Sequence, residues 1–102
     1  MLTLTYSETG TRVPDKQAEA WARKKIKSYQ NKPAGTDVTI TVANGIVVSA
    51  FRVLVKEGVM DHNDIQVLHG GLIYPINKHG RIAVWPPGFA EGEDSLLERL
   101  LF

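Results

Sequence analysis

The stretch Thr36–Gly58, TDVTITVANGIVVSAFRVLVKEG, constrains the fold of this chain more than any other. Val38, Ile40 and Val42 alternate with Thr39 and Thr41, the period of two that gives a strand unlike faces. Asn44 follows with a side-chain oxygen suited to the free amides of a helix start, and Gly45 separates it from the apolar run. Between Ile46 and Val55 only Ser49 and Arg52 are polar. With Lys56 they form one narrow stripe at helical spacing, so the spacing predicts a helix buried over most of its circumference. The β-branched residues Ile46, Val47, Val48, Val53 and Val55 would also suit a strand. The polar stripe and Gly58 at the helix stop favour the helix, giving a strand that runs directly into a buried helix.

The flanking segments build on that unit. Leu2, Leu4 and Tyr6 alternate with Thr3 and Thr5, which predicts an opening strand broken at Glu8-Thr9-Gly10-Thr11. Val13-Pro14-Asp15 reads as a helix entry. Ala18, Trp21, Ala22, Ile26 and Tyr29 supply a core-facing stripe, Glu19 and Arg23 an i, i+4 pair, and Lys32-Pro33-Ala34-Gly35 the stop. Downstream, Ile65–Leu68 is a short strand, Gly70-Gly71 a two-residue turn, and Leu72, Tyr74 and Ile76 the return strand, with Pro75 marking an edge or a strand end. A further strand is expected over Arg81–Trp85, and a last short helix carries Leu96, Leu97, Leu100 and Leu101. The expected order is β-α-β-α-β-β-β-α: one small α/β domain, bordering on α+β, with helices packed on a mixed sheet. A length of 102 residues suits a single core.

Composition removes several function classes. There is no cysteine, hence no disulfide and no thiolate zinc site, and no apolar run approaches the roughly 20 residues of a membrane helix. The start MLTLTYSE lacks a signal-peptide plan, and a cytoplasmic location is expected. The net charge of +1 conceals an asymmetry: residues 1–35 hold seven Lys/Arg and three acids, residues 36–102 five and eight. Lys16, Arg23, Lys24 and Lys27 fall along one side of the first helix, a ridge able to neutralise phosphates, making nucleic acid a possible partner. A solvated helix face outweighs that reading, because no aromatic is interleaved with the lysines.

Asp61, His62, Asp64, His69 and His79 are the types that hold metals or exchange protons, but they lie on separate loops without ligand spacing. No metal, no cofactor and no catalytic residue is expected. Trp85, Pro86, Pro87 and Phe89 form a stiff apolar knuckle, either a lid on the core or a protein-contact patch.

Three segments, SAFRVLVKEG (Ser49–Gly58), DIQVL (Asp64–Leu68) and GRIAVWPPGF (Gly80–Phe89), resemble the tail of bacterial AAA/ABC-type ATPases related to the overcoming-lysogenisation-defect family. The resemblance spans roughly Thr36 to Phe102. In that family a strand ends in Glu-Thr-His-Ser before the helix; here Thr41, Val42, Ala43 and Asn44 stand in those places, so the phosphate-approaching histidine is Ala43. No G-x-x-x-x-G-K-[ST] loop occurs. The resemblance implies a piece or mimic of such an ATPase without its nucleotide chemistry. The expected function is a non-enzymatic accessory or regulatory protein, phage- or mobile-element-borne, that docks on another protein, for which an ATPase of this kind is the candidate the resemblance implies. A small nucleic-acid-binding protein is the alternative.

Overall fold

A computed structural model of the chain describes residues 1–82. The elements are β1 (Leu2–Thr11), α1 (Ala18–Gln30), β2 (Val38–Val42), α2 (Gly45–Lys56), β3 (Ile65–His69) and β4 (Leu72–Pro75). Short 3-10 turns at Asp15–Gln17 and His62–Asp64 lead into α1 and β3. The sheet order is β2-β1-β3-β4, with β1 parallel to both neighbours and β3 antiparallel to β4. This is the expected α/β architecture with a mixed sheet. The segment expected to form the rest of a fifth strand and the last helix lies outside the described residues, which include one antiparallel bridge beyond β4, Ile76 to Ile82.

The strand alternation sets the layers. Register places Leu2 beside Val38 and Ile65, and Leu4 beside Ile40 and Val67, so these side chains share one face. That face joins a single core with Ala18, Ala22 and Ile26 of α1 and nearly the whole of α2. The opposite face carries Thr3, Thr5, Thr39, Thr41, Gln66 and Leu68, none of them buried. Gln66 Nε2 donates to Thr3 Oγ1 across that face at 3.2 Å. The two helices meet each other over the apolar face, where the Trp21 and Phe51 rings stand edge-on, 6.3 Å apart. Phe51 is fully buried, and its removal would cost about 3–5 kcal/mol by lost transfer and cavity formation.

Helix α2 ends as its sequence predicts. Gly58 has φ of +80°, its amide bonds to the Val55 carbonyl, and the Val59 amide reaches back to Leu54, which satisfies two otherwise orphaned carbonyls. At the hairpin Gly70 and Gly71 both take positive φ, as a two-residue turn between twisted strands requires.

Three local expectations are corrected. The strand does not break at Glu8: β1 continues to Thr11 through an irregularity after Tyr6, and both Tyr6 and Thr11 align with Val42. The intervening arch closes because Gly10 lies directly against the backbone of β2; a Cβ there would stand 2.7 Å from Val42 N and C. Asn44 precedes α2 but does not cap it with its side chain. Its Nδ2 donates to the Val13 carbonyl at 2.8 Å and its Oδ1 accepts the Val13 amide at 3.4 Å, so the residue imitates one rung of a strand pairing. The Ser49–Arg52 stripe is not a solvent face, since both residues are buried. Arg52 Nε donates to the Gly80 carbonyl at 2.8 Å, because the turn after β4 folds over this side of α2. Arg23 also pairs with Glu57, the residue that follows α2, at 3.8 Å.

Candidate functional site

The basic ridge forms as a surface. Lys16, Arg23, Lys24 and Lys27 are all exposed, because the buried edge of α1 is the narrow strip Ala18, Ala22, Ile26. One aromatic does stand among the lysines: Lys25 Nζ lies 5.2 Å above the Trp21 ring. Trp21 is half-buried against Phe51, so its ring is committed to packing and to that cation rather than projecting as a stacking platform. The Arg23–Glu57 pair is solvent-exposed and contributes little to stability.

The loop histidines are not gathered. Asp61, His62 and Asp64 belong to the turn before β3, His69 ends that strand, and His79 sits in the turn after β4. Among the described residues no group of three His, Asp or Glu could hold a metal ion. Asp61 and His69 have local structural tasks instead. Asp61 Oδ1 accepts the Asn63 amide and caps the 3-10 turn. His69 Nδ1 lies 3.2 Å from the Tyr6 carbonyl, with its ring edge-on to the Tyr6 ring at 5.3 Å. A carbonyl can only accept, so Nδ1 carries the proton in that contact. Tyr29 has a pKa above its ordinary value, through burial first and then through the nearby negative charges of Asp64 and Asp37.

Ala43, just after β2, is buried and its side chain has no polar group to offer a phosphate. Near the carboxyl ends of β1 and β2, Gly10 lies against the β2 backbone and the Asn44 side chain bonds to both the amide and the carbonyl of Val13.

Two features of the hairpin were not expected from sequence. Leu72 and Ile73 are exposed at 62% and 49%, the only large hydrophobics so open among the described residues. Leu72 alternates with Tyr74 and Ile76 along the return strand. It pairs with His69 at the hairpin tip, beyond the main core, whereas Ile76 at the other end of the return segment is buried. The adjacent pair Leu72-Ile73 breaks strict alternation, the one signal that sequence offered. Secondly, a cavity of about 640 Å³ opens at the other end of the hairpin, where Ile65 begins β3 and Pro75 ends β4.

Trp85, Pro86, Pro87 and Phe89 lie outside the described residues. Among those described, no helix is long and apolar enough to cross a membrane. Comparison of the chain with protein-family models, curated proteins and solved structures found no match in any of the three.

Proposed function

We propose that this chain is a non-enzymatic accessory or regulatory protein that acts by docking on another protein through the β3–β4 hairpin. The observation that carries the reading is the joint exposure of Leu72 and Ile73 on a regular strand. A chain of this size has little apolar surface to spare from its core. Two large aliphatic side chains on adjacent positions of a hydrogen-bonded strand offer apolar contact on both of its faces, which favours a contact role. The partner that the sequence resemblance suggests is an ATPase whose tail this chain imitates, in a phage- or mobile-element-linked setting. The test is comparative capture from the native host, with the wild-type chain and a Leu72→Asp/Ile73→Asp variant as baits. A partner retained by the first and lost by the second, with both baits equally folded by circular dichroism, supports the reading. Identical captures from both baits refute it.

A second reading is binding of nucleic acid along α1, favoured by the common exposure of Lys16, Arg23, Lys24 and Lys27. The pairing of Arg23 with Glu57 and the commitment of Trp21 to packing weaken it.

A further inference from the structure

We propose that the cavity at the start of β3 and the end of β4 binds a small amphipathic carboxylate, a monoanion with a medium-length apolar tail. Ile73, one of the two residues of the docking reading, also lines this cavity, whereas Leu72 does not; the proposal itself rests on the Arg81 and Asn77 side of the lining.

The floor is the protein's own core: Ile65, Ile76 and Ile82 line it and are 2%, 2% and 5% exposed. A cavity of about 640 Å³ falls within the roughly 300–1,000 Å³ of small-molecule sites. The rim is different in kind. Arg81, His62 and Asn77 stand on it, and no carboxylate lines it among the described residues. Asp61 and Asp64, the acids nearest in sequence, are not part of the lining.

The rim is also fixed in place. Asn77 Oδ1 accepts the amides of His79 and Arg81, at 2.9 and 3.1 Å. With that oxygen engaged, the Asn77 Nδ2 group is the end of the amide left to donate outward. The Asn77 amide donates to the Arg81 carbonyl and the Gly80 amide to the Asn77 carbonyl, closing the turn. Arg52 Nε fastens the same turn to α2 through the Gly80 carbonyl. Arg81 and Asn77 thus belong to a turn whose backbone is held by several hydrogen bonds, and they line the same cavity as the aliphatic Ile65, Ile76 and Ile82. An anionic head with an apolar tail satisfies both halves; a purely polar anion wastes the floor, and a cation opposes Arg81.

The experiment is an NMR titration of the ¹⁵N-labelled full-length chain with sodium octanoate, sodium acetate and octylammonium chloride at matched ionic strength, below micelle formation. Octanoate is expected to shift the Ile65, Asn77, Arg81 and Ile82 amides saturably. Acetate should bind far more weakly, since each further buried methylene strengthens binding by roughly four-fold. Octylammonium should leave those amides unmoved. Arg81→Gln should weaken octanoate binding by about ten-fold or more, whereas Arg81→Lys, which keeps the charge, should retain most of it. Equal binding of octanoate and octylammonium would overturn the proposal, as would unchanged affinity in Arg81→Gln or octanoate shifts confined to other residues. Absence of any octanoate shift at millimolar concentration would also overturn it.

Discussion

Replacing Gly10 by alanine tests the least expected contact in the fold. Two opposing effects act. Removing a glycine narrows the unfolded ensemble and by itself stabilises by about 0.4–1 kcal/mol where the native backbone suits alanine. Gly10 is not among the glycines with positive φ, so no backbone strain arises at that position. The added methyl, however, would stand 2.7 Å from Val42 N and C and 2.8 Å from Thr41 C. Those atoms are backbone in a paired strand and cannot swing aside as a side-chain tip could. Overpacking of this kind costs about 1–3 kcal/mol, and the unyielding obstacle places it in the upper part of that range. The net expectation is a loss of about 1–2 kcal/mol. For a domain of this size that lowers the melting temperature by roughly 5–15 °C. Circular dichroism melts and urea titrations measure it, with Thr9→Ala on the same arch as an exposed control expected within about 0.5 kcal/mol of wild type. A Gly10→Ala protein as stable as wild type, or more so, would show that the arch does not press on β2, and the account of how β1 resumes at Thr11 would fail.

Three further outcomes are expected. Asn44→Ala removes both bonds to the Val13 backbone and should cost about 1–3 kcal/mol in urea unfolding, with helix content at α2 retained because the side chain does not cap it. Calorimetric titration with ATP and Mg²⁺ should show no binding, since the chain has no phosphate loop and Ala43 is buried without a polar group; micromolar affinity would contradict this. Lys24→Glu/Lys27→Glu should leave the fold intact, both residues being exposed. Any nucleic-acid affinity of the wild type should fall steeply with salt and vanish in this variant, and submicromolar binding kept at physiological salt by the wild type would promote the α1 reading.

What the sequence by itself determined is whatever depends on neighbours along the chain. The period of two in Leu2-Thr3-Leu4-Thr5 and Val38–Val42 assigned the strand faces, and both threonine sets do lie on the unburied side of the sheet. The apolar run Ile46–Val55 with Gly58 behind it specified a buried helix and its stop, because backbone geometry and solvent exclusion act within a few residues. The same holds for Gly70-Gly71 and the hairpin.

Tertiary structure decided whatever depends on segments far apart in sequence. Periodicity marks a polar stripe on α2 but cannot say that the turn at Gly80, 28 residues on, will cover Arg52 and accept its hydrogen bond. Asn44 has the chemistry of a cap, yet Val13, 31 residues earlier, offers a donor and an acceptor together and takes its side chain. Gly10 reads as a breaker until β2 lies against it. The cavity is legible in no single stretch, since Ile65, Ile76 and Ile82 become its floor, and Arg81 its rim, only when the hairpin and the turn after it close over the core. Local alternation records which residues avoid water, whereas long-range packing alone determines which polar groups find partners and which surfaces are left open.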